Sequence, residues 1–235
     1  MQYGLLIVLG TALGLMMRRI TLLRRQGLMV MARRLYLRTG WVLIATVWLA
    51  MLAQEAMLLL DGRLTWQTGL PLHLCSVMGV LTAPMLLTGS RFLWHASLYL
   101  GMPGALLALA FPSIIQSPWP ETMRLAFFLM HCAVALAPLL PLSLGDVPAP
   151  AGALHALAFL LLLALCALAV NAWTGANYLF LSMPAAGTPL ALLAGDDLTL
   201  YRLTLLGLCL LVLLLEALCV QWWQLLRRRT RADPR

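Results

Sequence analysis

Long, almost uninterrupted apolar runs alternate along the chain with short segments that carry arginine, proline and glycine. A run of about 20 apolar residues is long enough to cross the hydrocarbon core of a bilayer as a helix. We predict seven spans, at about 3–17, 39–60, 70–87, 92–110, 123–142, 151–173 and 198–226. The pattern therefore predicts an all-α polytopic membrane protein. It forms a single seven-helix domain over 1–235, in which 227–235 is a basic tail.

Two stretches interrupt this regularity. Pro103 stands between Gly101 and Gly104 in the fourth span, where we expect the helix to break. The segment 174–197 is too apolar for an ordinary aqueous loop and too rich in Gly and Pro for a full helix. We interpret it either as a partly re-entrant lid or as a loop packed on the rim of the bundle.

Composition excludes a soluble protein. Hydrophobic residues make up 63% of the chain and charged residues 10%, with a mean hydropathy of +0.92. Soluble domains carry about 25% charged residues. Because the chain has far fewer, we expect no soluble domain in it. The five cysteines lie inside apolar runs without paired spacing, which excludes a disulfide framework and a zinc ribbon. We expect no cofactor.

The arginines predict the orientation. Seven lie between Arg18 and Arg38 and five between Arg227 and Arg235, at the ends of apolar runs. Cytoplasmic loops attract arginine, so the N-terminus is predicted outside and the C-terminus in the cytoplasm, across a bacterial cytoplasmic (inner) membrane. The net charge of +8 then indicates contact with anionic lipid headgroups at both basic segments rather than with nucleic acid.

Several polar residues share one depth in this topology. Counted at 1.5 Å per residue from the outer helix ends, Glu55, Cys75, His131 and Asn171 fall within roughly 3–12 Å of the outer boundary. His73 lies close by. Ionisable groups in hydrocarbon are costly and usually mark a site or a pathway.

A cysteine beside a histidine is a nucleophile beside a base, and a carboxylate or amide such as Glu55 or Asn171 can fix the imidazole tautomer. On one continuous helix, His73 and Cys75 would point about 200° apart. We therefore favour Cys75 with His131 as the pair and assign His73 an orienting role.

Other interpretations stay open. Each of these residues also occurs as a structural group: the cysteine as a small apolar filler, the histidine bonded to a helix carbonyl, the glutamate as a protonated carboxyl. A transporter or channel would use a buried Glu/His site, and Glu216 nearer the inner side favours that reading. His73, Cys75, His131 and Glu55 include ligand types for zinc, although the angular offset disfavours it. A non-catalytic membrane scaffold is the last alternative.

Several segments carry a resemblance to a known family. They are LPLHLC at 70–75, WHASLYLGMPGALLALAFP at 94–112, the helix with His131, and NAWTGANYLFLSMP at 171–184. Together they cover most of the region from about 54 to 201, which resembles the YwaF-type family of bacterial integral membrane proteins. That family is similar to a eukaryotic seven-span acyltransferase that builds ether phospholipids, and more distantly to androgen-induced intramembrane hydrolases, in which Thr replaces Cys.

The resemblance implies Cys75 as nucleophile, His131 as base, and a lipid acyl donor with a lysolipid acceptor or water. From the residues we add orienting or oxyanion candidates, which are Glu55, His73, Asn171, Asn177 and Tyr178. The sequence therefore predicts a lipid acyltransferase or lipid ester hydrolase with its site in the outer half of the bilayer.

Overall fold

The structure is a computed structural model that describes residues 2–112, 118–184, 188–193 and 197–232. These residues are helical over most of their length and contain no strand, which confirms the all-α prediction. The helices, with the two halves of the fourth span given as α4 and α5, are α1 Gln2–Arg25, α2 Met29–Leu60, α3 Leu74–Thr88, α4 Arg91–Ala96, α5 Met102–Ala110, α6 Pro120–Leu136, α7 Gly152–Thr174 and α8 Leu198–Ala232.

Six helical segments of the described residues are long and apolar enough to cross a membrane, and α3 is a shorter apolar helix of 15 residues. At 1.5 Å per residue α3 covers only about 22 Å, less than the hydrocarbon core of about 30 Å. This arrangement confirms a polytopic membrane protein.

The first two helices run well past the predicted spans 3–17 and 39–60. Only residues 26–28 separate α1 from α2, with Gly27 in the left-handed region at φ 78°. The arginines predicted to form a loop therefore lie on two helices. Arginine has a high helix propensity and its long side chain can reach the interface from inside a span, so the helices need not end where the charges begin.

The fourth span stays helical through Pro103. A π-helical segment, Ser97–Gly101, joins α4 to α5 just before the proline. Proline removes an N–H and clashes with the carbonyl four residues earlier, and the wider π turn accommodates both effects. The fifth span tightens instead, since α6 passes into a 3₁₀ helix at Ala137–Leu144 around Pro138 and Pro141.

Polar contacts gather at two opposite ends of the bundle. At one end, the Gln67 side chain donates to the Thr174 carbonyl at 2.8 Å. At the other, Gln224 donates to the Pro148 carbonyl at 2.6 Å. We call these the outer and inner ends, following the orientation predicted from the arginines.

The central helix is α6. The segment Pro120–Leu144 comprises α6 and the following 3₁₀ helix, and 72% of the residues in its most apolar stretch are buried. In the most apolar stretch of α8, only 6% of the residues are buried. The last helix continues through the predicted tail as far as Ala232, and residues 233–235 lie outside the described part. The 174–197 segment is described except for 185–187 and 194–196, and contains short 3₁₀ turns at Tyr178–Phe180 and Pro189–Leu193.

Candidate active site

The start of α3 determines where Cys75 lies. His73 is extended, with φ −73° and ψ 146°, and the helix begins at Leu74. His73 and Cys75 therefore do not share a helix, and the 200° separation expected for a continuous helix does not apply. Pro71 is the sequence signal for this boundary, because proline favours the start of a helix over its interior.

Cys75 is in the first turn of α3, and no side chain caps that turn. The first free N–H groups of a helix have no intrahelical partner, and here Val77 is the first residue whose N–H is used, donating to the His73 carbonyl at 3.0 Å. The Cys75 and Ser76 amides therefore lie at the positive end of the helix dipole. This end of the helix stabilises negative charge on a sulfur or an oxyanion.

A glycine on α5 makes room beside the thiol. A Cβ atom on Gly104 would lie 3.8 Å from Cys75 Sγ and 3.1 Å from Leu74 Cδ2. Cys75 itself is half-buried against the main apolar core. The helices α3, α5 and α6 all contact one another, and the thiol lies at the contact between α3 and α5.

His131 is buried on α6, and one ring nitrogen is already engaged. Its Nδ1 lies 2.8 Å from the Phe127 carbonyl oxygen, and the two rings pack at 4.1 Å. Because a carbonyl only accepts, Nδ1 carries the proton and Nε2 has a free lone pair in the neutral ring. No hydrogen bond joins the His131 ring to the Cys75 thiol in this structure.

Tyr178 joins the loop before α3 to the loop after α7. Its hydroxyl donates to the Trp66 carbonyl at 2.8 Å and accepts from the Leu70 N–H at 3.1 Å. Its ring packs edge-on against the His73 ring at 5.3 Å. Burial raises the pKa of Tyr178, with a further increase from the charge of Glu55, so the Tyr178 hydroxyl is neutral at pH 7.

The side chains of the two asparagines bond backbone groups. Asn171 bonds both backbone groups of Tyr178 through its side-chain amide. Asn177 closes its own partly exposed loop, accepting from Ser182 N at 2.9 Å and donating to Met183 O at 2.9 Å. Both therefore act on loop conformation in this structure.

Glu55 borders the same region from α2. Its Oε2 lies 3.4 Å from the position a Cβ would take on Gly69, the residue before Leu70. Glu55, His73, Asn171 and Tyr178 thus form one outer polar cluster, and Cys75 follows His73 by two residues. His131 and Asn177 form their side-chain hydrogen bonds elsewhere, with Phe127 and with the loop at 182–183.

The backbone is strained at two residues next to the outer polar cluster, which the sequence did not predict. Leu179 and Phe180 have positive φ, at 55° and 56°, a conformation that costs about 1–3 kcal/mol for such residues. Tyr201 and Arg202 hold them by donating to the Phe180 and Leu181 carbonyls at 2.8 Å each. The Phe180 ring packs 5.2 Å from His73. The sequence offers no signal for this, since neither strained residue is Gly or Asn.

A metal centre finds no support in the described residues, where no three side chains of His, Cys, Asp or Glu are grouped closely enough to hold an ion. Within the outer cluster, the polar side-chain atoms of Asn171 and Tyr178 bond backbone groups instead.

The family model described as the TMEM164 family matches residues 2–220, nearly the whole chain. No curated protein and no solved structure matches.

Proposed function

The chain belongs to the TMEM164 family, a multi-pass membrane family, and on the geometry described above we propose that it is a lipid acyltransferase or lipid ester hydrolase. Cys75 is the proposed nucleophile and His131 the proposed general base. The strongest support is the position of Cys75 in the uncapped first turn of α3, beside the space left by Gly104.

The first half-reaction transfers an acyl group to sulfur. His131 Nε2 accepts the Cys75 proton, and the thiolate attacks the ester carbonyl of a lipid. The C–O bond breaks, the alkoxide leaves with the proton held by His131, and a thioester remains. The Cys75 and Ser76 amides would stabilise the tetrahedral oxyanion. Sγ and Nε2 must come into hydrogen-bond contact when the lipid binds, as catalytic hydrogen bonds often tighten only in the substrate complex.

The second half-reaction regenerates the thiol. His131 Nε2 removes a proton from a lysolipid hydroxyl or from water, and the resulting oxygen attacks the thioester. The C–S bond breaks and the thiolate recovers the proton. A lysolipid acceptor makes the protein a transferase, and water makes it a hydrolase.

The outer polar cluster has a positioning role in this proposal. Tyr178, held by Asn171, bonds the backbone of the loop that precedes His73 and so fixes the entry to α3. Glu55, His73 and Asn177 are proposed to orient the substrate or the loops that cover it. The site lies a few ångströms below the outer headgroups, where ester carbonyls reside.

We further propose a bacterial cytoplasmic membrane as the location. Membrane lipids are the proposed partners, as acyl donor and lysolipid acceptor. Anionic headgroups would contact the arginines of Arg18–Arg38 and the C-terminal end of α8.

The test is lipid turnover by the purified protein in nanodiscs that contain a phospholipid with a labelled acyl chain, with and without lysolipid. Cys75→Ala should abolish appearance of labelled product, and His131→Gln should lower its rate about 100-fold or more. Cys166→Ser, on an exposed thiol of α7, is the matched control and should be fully active. Unchanged turnover in both Cys75→Ala and His131→Gln would reject the catalytic assignment. Proteoliposome flux of ions or solutes, with no lipid product, would favour a transporter instead.

A further inference from the structure

A pair of histidines lies at the inner end of the bundle, where the fourth span meets the start of α7. His95 on α4 is buried, whereas His155 on α7 is exposed. Their Nδ1 atoms are 3.1 Å apart. The two rings are inclined by only 20° with their centroids 5.4 Å apart, as a hydrogen bond in the plane of both rings requires. Neither side chain has a part in the proposed acyl transfer.

The second ring nitrogen of His95 determines which atom carries the shared proton. The backbone N–H of Ala149 donates to His95 Nε2 at 3.4 Å, and Ala149 belongs to the loop between the fifth and sixth spans (145–151, the inner loop). A backbone N–H only donates, so Nε2 has the lone pair and Nδ1 of the neutral ring has the proton. His95 Nδ1 therefore donates to His155 Nδ1.

His95 is the middle one of three side chains that hold the inner loop against the fourth span. About one turn before it, Arg91 donates to the Val147 carbonyl at 3.1 Å. About one turn after it, the Tyr99 hydroxyl donates to the Ala149 carbonyl at 2.8 Å. Side chains four residues apart share one face of a helix. His95 thus supplies the one contact in this row that accepts a proton from the loop and can change with pH.

This order of donors is incompatible with a protonated His155. A protonated imidazole donates from both nitrogens, so His155 Nδ1 would then present a proton to His95. His95 would face two donors, one from His155 and one from Ala149, but a neutral imidazole has a single acceptor. One bond must break, and the bond from Ala149 is the longer of the two.

We propose that His155 is a proton sensor at the inner end of the protein, and that its protonation releases the inner loop from His95. The pair takes up one proton from the inner aqueous phase. His155 then carries protons on both nitrogens, His95 accepts at Nδ1 and carries its own proton on Nε2, and this N–H opposes the N–H of Ala149. Histidine is the side chain whose charge changes between pH 5 and 8, so mild acidification is the signal. This device does not depend on the proposed acyl transfer.

Other charged groups surround the pair. Those on the inner loop and on the helices packed against it include Arg91, Tyr99, Asp146, Glu216, Arg227 and Arg228. Arg91 acts electrostatically on His95 and keeps its charge at every pH used below. Glu216 acts on Tyr99, and Asp146 lies in the inner loop. Both carboxyl groups can titrate, so the test compares proteins that share them.

Nuclear magnetic resonance of ¹⁵N-labelled histidine in the full-length protein, held in nanodiscs, reads the protons directly. At pH 7.5 we expect His95 to be protonated on Nδ1 alone. At pH 5.5 we expect His155 to be protonated on both nitrogens and His95 to have moved its proton to Nε2. Retention of the Nδ1 proton on a neutral His95 while His155 is charged would overturn the proposal without any variant.

Two variants at the exposed position separate proton sensing from packing. His155→Gln keeps an acceptor that does not titrate, so the inner loop should stay closed at both pH values. His155→Lys is a donor at both pH values, so the loop should be released already at pH 7.5.

Amide hydrogen exchange of peptides from the inner loop, corrected for the intrinsic effect of pH, measures the release. We expect protection in the wild type to fall about fivefold between pH 7.5 and 5.5, and to be unchanged in His155→Gln. His155→Lys should show the lower protection throughout, while α6 exchanges alike in all three folded proteins. An equal fall in wild type and His155→Gln would assign the effect to a carboxyl group and overturn the role of His155.

Discussion

Asn171 accepts a hydrogen bond from the Tyr178 backbone N–H at 2.8 Å and donates one to the carbonyl of the same residue at 3.0 Å. Both side chains are buried. This two-bond ring fastens the loop after α7 to the last turns of that helix, and the Tyr178 ring then packs against His73. The residue before α3 is thus positioned from a helix almost 100 positions later in the chain.

Replacing Asn171 with Ala should lower the free energy of unfolding in detergent by about 1–3 kcal/mol, because two buried backbone groups lose their partners. Asn177→Ala is the matched control. Its bonds lie in a partly exposed loop where water can replace most of them, so it should cost less than about 1 kcal/mol. Equal losses of unfolding free energy in the two variants would contradict a stabilising role for the two hydrogen bonds between Asn171 and the Tyr178 backbone.

Gly152 should tolerate no side chain. A Cβ atom there would lie 2.6 Å from Cγ of His95, whose ring is fixed by the His155 ring at 3.1 Å between Nδ1 atoms. Gly152→Ala should therefore destabilise the protein by about 1–3 kcal/mol through overpacking. Gly207→Ala, where nothing lies within 4 Å, should be neutral or stabilise slightly. Comparable unfolding transitions for the two variants would contradict the close contact of α4 with α7.

Hydrophobic patterning was sufficient to predict the fold class and the approximate positions of the helices, because uniformly apolar runs have few other stable forms. It did not predict the ends of the helices. Arginines continue α1 and α2 where a loop was expected, and α3 begins after Pro71, four residues later than predicted.

Depth along a helix led us to predict that Cys75 and His131 meet, which stays a prediction, and depth says nothing about which atoms each residue uses. The His131 Nδ1 bond to Phe127 is local to α6, and periodicity cannot distinguish it from a bond to another helix. The positive φ angles of Leu179 and Phe180 depend on contacts with α8. The lack of a hydrogen-bond partner for the buried Glu216 Oε2 likewise depends on how α8 packs. These features come from tertiary packing and leave no mark in the local sequence.

Reporter fusions test the predicted orientation. A reporter that is active only outside the cytoplasm should be active when inserted after Gln67, between α2 and α3, and inactive when fused after the last helix. The physical reason is that most of the arginines lie at the inner end, which is retained in the cytoplasm. The opposite pattern of activities would reverse the topology and move Cys75 to the cytoplasmic half of the membrane.

Capture of the acyl-enzyme tests the central claim most directly. Nanodiscs that hold the protein and a phospholipid with a labelled acyl chain are quenched in acid, and the peptides are mapped by mass. The proposed chemistry predicts one acyl group on Cys75 in a hydroxylamine-sensitive thioester, absent from Cys75→Ala and formed at least about 100-fold more slowly in His131→Gln. Lipid turnover with Cys75 unmodified, or the same acyl adduct forming at the wild-type rate in His131→Gln, would contradict it.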